Sequence, residues 1–121
     1  MKFLFGILFL LPLFSVAQQN SKAETQALRQ ELKEVLTNKT IKQVLVDTVI
    51  PDKETAIAVA EQILFRIYGK DQIIGEKPYT VKLVDGYWFL SGSLPKGWVG
   101  GVFSIIISAK DGRVIRLMHG K

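Results

Sequence analysis

The pattern of hydrophobic and polar positions changes along the chain, and each change marks a different kind of element. Residues 3–14 are almost continuously apolar. Between residues 52 and 68, apolar side chains recur every three to four positions, which predicts a helix with one buried face. From residue 79 onward, apolar and polar positions largely alternate, as is typical of strands with one buried face.

The first 17 residues are typical of a cleavable signal peptide. Lys2 precedes the apolar run, and Ser15 and Ala17 occupy the small-residue positions that a signal peptidase requires. The run from residue 3 to 14 is shorter than the roughly 17–25 residues of an ordinary membrane span. We therefore predict that residues 1–17 are removed and that no stable membrane anchor remains. The alternatives are a buried first helix or an uncleaved anchor.

Residues 18–49 are predicted to form an N-terminal helix and a linker. Ser21 and Glu24 have the spacing of a capping box, which predicts a helix over residues 22–37. The stretch from Thr40 to Ile50 fits either a helix or a strand. Its many β-branched residues favour an extended segment.

A second helix is predicted between Asp52 and Tyr68. Asp52 can accept hydrogen bonds from the first free amides of this helix, and Gly69 can end it in a left-handed conformation. The small residues Ala56 and Ala60 would let the helix lie close to a sheet. We expect this helix to pack on the apolar face of that sheet.

Two hairpins are predicted in the second half of the chain. Asp85-Gly86 and Lys110-Asp111-Gly112 are turn sequences, each between two alternating segments. Helices and strands are thus segregated along the chain, which is typical of the α+β class. The four predicted strands cover residues 79–84, 87–94, 102–109 and 113–119.

Composition and charge exclude several functions. The 121 residues include no cysteine, so a thiolate nucleophile, a thiolate metal site and a lipid-bearing cysteine are excluded. The net charge is +5, but the basic residues are scattered and form no polybasic arm of the kind that binds nucleic acid.

The residues that could carry catalysis lack partners in the sequence. His119 is the only histidine, and one histidine cannot form a histidine metal cluster. The serines lie in no nucleophile elbow, and Glu61 and Glu76 have no evident partner. We therefore predict no enzyme activity, no metal and no cofactor. Only an acidic or histidine group buried beside a second titratable residue would support an enzyme.

The segment between the two hairpins is the best candidate for recognition. It is rich in glycine yet carries Trp98, and large aromatic residues on loops are enriched at binding hot spots. The alternative is that Trp98 folds back as a lid on the end of the sheet. We predict contacts with a protein partner from Lys96, Trp98, Val99 and His119.

The order and spacing of the caps and turns in residues 50–121 resemble a known family. The segments that carry the likeness are Pro51 to Ile57, Ile67 to Lys70, Lys77 to Tyr79, Asp85 to Trp88, Gly92 to Gly97, Gly100-Gly101, Lys110 to Gly112 and His119 to Lys121. Together they resemble the nuclear-transport-factor-two-like fold immunity proteins of bacterial polymorphic toxin systems. The resemblance implies one long helix on a curved antiparallel sheet of about four strands, a fold that is also cystatin-like. It implies no catalytic residues.

The resemblance implies that residues 50–121 are an immunity-type domain whose partner is a cognate toxin. Together with the signal peptide, it predicts an exported protein, periplasmic or secreted, that binds and neutralises this toxin. The alternative is an envelope module of the same fold that binds a small ligand or modulates a peptidase.

Overall fold

The structure is a computed structural model that describes Gly6, residues 13–38, Thr40 and residues 46–121. The chain divides into two compact units, Met1–Leu45 and Val46–Lys121, which are described separately below. Most of the predicted signal peptide lies outside the described residues. Within those residues, no helix is long and apolar enough to cross a membrane.

Among the described residues of the first unit there is one helix, α1, which spans Leu13–Thr37. The predicted helix start at Ser21 is wrong, because Ser21 lies inside α1 and its carbonyl accepts a hydrogen bond from the Thr25 hydroxyl at 2.8 Å. No glycine or proline interrupts residues 13–37, so nothing local stops the helix there. After α1, the Asn38 side chain accepts a hydrogen bond from the Thr40 amide at 3.0 Å.

The extended segment predicted over residues 40–50 does not form a strand in its described part, where residues 46–50 make bends. Ile50 is nevertheless buried, and its amide donates to the Ala109 carbonyl at 2.9 Å. Its own carbonyl accepts a hydrogen bond from the indole of Trp88, also at 2.9 Å. Residues 41–45 lie outside the described residues.

The second helix, α2, spans Lys53–Tyr68, as predicted. The Asp52 carboxylate accepts a hydrogen bond from the Thr55 amide at 2.7 Å. Hydrogen bonding by the Thr55 side chain, and then by this amide, lowers the pKa of Asp52. Gly69 ends the helix with φ of 93°, a conformation that favours glycine. A short helix that the sequence analysis did not predict, α3, follows over Lys70–Ile74.

Four strands form one antiparallel sheet in the order β1-β2-β3-β4. Their bounds lie within one residue of the predicted ones, except that β2 ends at Ser91, three residues before its predicted end. The α+β class is confirmed. The first hairpin turns at Asp85 and Gly86, with φ of 51° and 83°, as a tight hairpin turn requires. A bulge in β4 shifts the register opposite Ile106 and Ile107. The strands are β1 Thr80–Val84, β2 Tyr87–Ser91, β3 Phe103–Ser108 and β4 Val114–His119.

The core lies between α2 and one face of the sheet. Ala56, Ala60 and Leu64 are the buried residues of α2, one helical turn apart, so the same face of the helix meets the sheet throughout. Side chains that alternate along the two central strands, β2 and β3, complete the core from the sheet. They are Trp88, Leu90, Phe103, Ile105 and Ile107.

A larger side chain at Ala60 should destabilise the fold. Ala60 is buried against the sheet, so Ala60→Leu forces extra carbon atoms into a filled space and should cost about 1–3 kcal/mol of unfolding free energy. Ala58→Leu on the exposed side of the same helix is the matched control and should cost little. Urea unfolding measures both variants, and equal costs would contradict this packing of α2.

Candidate functional site

The predicted recognition loop lies at one end of the sheet, between β2 and β3. Residues 92–102 form this loop, which we call the Trp98 loop. His119, the last residue of β4, lies at the same end, because the Gly120 amide donates to the Val102 carbonyl at 3.1 Å. The fold thus brings His119 beside the base of the loop that carries Lys96, Trp98 and Val99.

The tip of the Trp98 loop is exposed. Trp98 is 70% exposed and Val99 is 100% exposed, and Lys96 is exposed beside them. The Trp98 ring therefore does not cover the end of the sheet as the alternative prediction required. A turn, in which the Trp98 amide donates to the Pro95 carbonyl at 3.0 Å, sets the path of the backbone here.

Both ends of the Trp98 loop are fastened to Glu76, in the connection between α3 and β1. The Ser93 amide donates to the Glu76 backbone carbonyl at 2.7 Å. The Phe103 amide donates to the carboxylate oxygen Oε1 of the same residue, also at 2.7 Å. The Ser93 hydroxyl adds a bond to the Pro78 carbonyl at 2.6 Å. The exposed tip thus stands on a base held by short hydrogen bonds.

Glu76 is only 2% exposed, which is unusual for a carboxylate. Burial of a charge is unfavourable unless hydrogen bonds compensate it, and here both oxygens have partners. Oε2 lies 3.0 Å from Nε2 of His119 and 3.4 Å from Nε2 of Gln72. Gly92 provides the space, since a Cβ atom at this position would lie 2.7 Å from Oε1.

His119 contacts hydrogen-bond acceptors at both ring nitrogens. Nδ1 lies 2.7 Å from the Gly120 carbonyl oxygen, and Nε2 faces the Glu76 carboxylate. A carbonyl and a carboxylate only accept, so both nitrogens donate only when the ring is a positively charged imidazolium. The Gly120 carbonyl and then Glu76 raise the pKa of His119, although partial burial of the ring opposes this change.

A second set of interacting polar side chains consists of Tyr79, Glu61 and Lys77. The Tyr79 hydroxyl donates to the Glu61 carboxylate at 3.0 Å, and Lys77 lies 3.8 Å from the same carboxylate oxygen. Burial and the neighbouring Glu61 raise the pKa of the Tyr79 hydroxyl. The Tyr79 ring packs edge-on against Phe103, with ring centroids 5.2 Å apart. The Tyr79 ring therefore contacts the first residue of β3, the same residue whose amide binds Glu76.

The Glu76–His119 pair meets the condition that the sequence analysis set for an enzyme, a buried acid beside a second titratable group. Its geometry favours a structural role instead. Each carboxylate oxygen of Glu76 and each ring nitrogen of His119 already has a protein partner. Within the described ranges, no group of three or more acidic, histidine or cysteine residues could hold a metal ion.

Sequence reasoning missed Glu76 and treated it as a residue with no evident partner. Its partners lie far along the chain, with Phe103 27 positions away and His119 43 positions away. No local pattern distinguishes Glu76 from a surface glutamate. The one available signal was Gly92, a glycine in an alternating segment, which marks a close approach of another group.

Fold and site together define a class: a helix-on-sheet domain that presents an anchored, exposed aromatic loop. The family described as NTF2 fold immunity protein matches residues 55–121, more than half of the chain. The chain belongs to this family, as the resemblance implied. Membership supports a toxin-neutralising role in general and favours a non-catalytic one.

Two proteins of Escherichia coli (strain K12) are similar to this chain. The uncharacterized protein YhhH is 34% identical over 77 residues, which cover 63% of this chain and 61% of YhhH. The uncharacterized protein YbbC is 34% identical over 77 residues, which cover 63% of each chain. The matched region therefore spans about three-fifths of the length of these curated relatives. No solved structure matches the chain.

Removal of the Glu76 side chain should destabilise the domain strongly. Glu76→Ala leaves the Phe103 amide and His119 without their acceptor and should cost roughly 3 kcal/mol of unfolding free energy. The control is Glu61→Ala, because Tyr79 retains its bond to the Ile73 carbonyl, and it should cost at most about 1 kcal/mol. Chemical denaturation measures both costs. A smaller cost for Glu76→Ala than for Glu61→Ala would contradict the role of Glu76.

Stability should decrease as the pH rises above the ordinary histidine pKa of about 6.5. The pKa of His119 is raised in the folded state, so its contribution is fully present below its unfolded value of about 6.5. That contribution is lost as the pH rises through the higher folded value. Urea unfolding between about pH 5.5 and pH 8.5 should show this loss, and His119→Gln should abolish it. An identical pH dependence in both proteins would show that another group is responsible.

Proposed function

We propose that this protein is an exported, non-catalytic immunity protein that neutralises a cognate bacterial toxin by binding it through the Trp98 loop. Family membership supports the toxin as partner. The observation that carries the choice of surface is the exposure of Trp98 and Val99 on a loop with a fixed base. A preorganised loop loses little conformational entropy on binding, so its exposed aromatic ring can act as an anchor.

Charge and export are consistent with this proposal. Lys96, beside the anchor, would favour an acidic patch on the toxin. The net charge of +5, which becomes +4 when Lys2 is removed with residues 1–17, favours the same partner. The signal-like residues 1–17 would place the protein in the periplasm or outside the cell, where an incoming toxin first arrives. The close packing of Ala56 and Ala60 on the sheet disfavours the alternative of a small-ligand carrier, which needs a cavity there.

Capture of the tagged protein from its own cells tests the function. We expect one stoichiometric secreted protein that is lethal when it is produced without this protein and harmless when both are produced. A partner without toxicity, or no partner above background, would contradict the immunity function.

The Trp98→Ala variant tests the surface. Loss of a central aromatic anchor should weaken toxin binding by about 2 kcal/mol or more, roughly 30-fold in dissociation constant. Leu83→Ala is the control, because Leu83 is an exposed apolar residue of β1 near the opposite end of the sheet. Calorimetry on the purified complex measures both. Tight binding that does not depend on Trp98 would exclude this loop while leaving the immunity function in place.

A further inference from the structure

The face of the sheet opposite α2 carries a continuous row of side chains across all four strands. The strand register aligns Lys82 with Phe89, Phe89 with Ile106, and Ile106 with Arg116. These residues alternate with the core residues of the same strands, so they point away from α2. We call this side of the sheet the outer face.

The centre of the outer face is apolar and accessible. Phe89 is 42% exposed and Tyr87, two positions earlier on β2, is 40% exposed. Val84 pairs with Tyr87 and is exposed as well. Met118, also exposed, lies in the row on the other side of Phe89 and Ile106, where it pairs with Ser104. Apolar side chains thus adjoin one another on the outer face and form a patch, as at many protein interaction sites.

Both ends of the central row are positively charged. Lys82 lies on the edge strand β1 and Arg116 on the opposite edge strand β4. The Arg116 guanidinium lies along the face, where it donates to the Met118 thioether at 2.8 Å. Every residue of the four strands is described, and none of those strand residues is an aspartate or a glutamate. The strands of the face therefore carry no negative charge, and the carboxylates that border the face are those of Asp85 and Asp111, in the turns beside Tyr87 and Ser108.

We propose that the outer face is a second docking surface, for a protein segment with an apolar centre and a carboxylate on each side. The two carboxylates would lie about 14 Å apart, which is the width of three strand spacings. Phe89 and Ile106 would contact the apolar centre, and Lys82 and Arg116 would each pair with one carboxylate. A second copy of this chain fits poorly. Face-to-face packing would bring the Lys82 and Arg116 cations of one copy against those of the other, with no carboxylate in the strands of either sheet to offset them. This surface is separate from the Trp98 loop, and its test does not use the toxin.

Photo-crosslinking from the centre of the face tests this proposal. The full chain with p-benzoyl-L-phenylalanine in place of Phe89 is expressed in its own cells and irradiated. We expect one cross-linked protein whose linked peptide has an acidic residue on each side of the linked position. The double variant Lys82→Glu with Arg116→Glu should lower the yield at least tenfold.

Matched variants separate surface charge from folding. Lys53→Glu with Arg66→Glu makes the same charge change at exposed positions of α2 and should leave the yield unchanged. If the double reversal does not fold, Lys82→Gln with Arg116→Gln replaces it and should lower the yield at least threefold. A product of two copies of this chain, no product, or a yield indifferent to both Lys82 and Arg116 would overturn the proposal.

Discussion

The burial of the Glu76 carboxylate is the constraint on which the end of the domain that carries the Trp98 loop depends. A charge removed from water must have its oxygens hydrogen-bonded, or the fold is strongly destabilised. Here the backbone of β3 and the side chain of His119 at the end of β4 satisfy it. These groups come from segments far apart in sequence. Because both must reach the Glu76 carboxylate, the start of β3 and the end of β4 are held in place beside the segment that follows α3.

This constraint explains how the domain can expose Trp98. A loop of eleven residues that includes four glycines would ordinarily be flexible. The amides of Ser93 and Phe103 bind Glu76 on either side of the loop, so its ends are fixed and only the tip remains open to solvent. The core between α2 and the sheet supplies stability, and the hydrogen bonds of Glu76 fix the base of the Trp98 loop.

The two faces of the sheet differ in what covers them. One side is covered by α2 and needs small residues such as Ala60 to let the helix approach. The other side carries an apolar centre between Lys82 and Arg116. In this arrangement the Trp98 loop and the outer face are distinct surfaces, so one small domain can offer two different sites to partners.

The sequence by itself determined the elements whose signals are local. The Asp52 cap, the Gly69 stop and the Asp85-Gly86 turn each act through neighbouring backbone groups, and all three lie where the sequence analysis expected them. The start of α1 was placed wrongly because Ser21 can cap a helix or lie inside one. Only the tertiary structure decided that Glu76 is buried, that His119 is its partner and that Trp98 faces solvent. These facts depend on contacts between distant segments, which no local periodicity encodes.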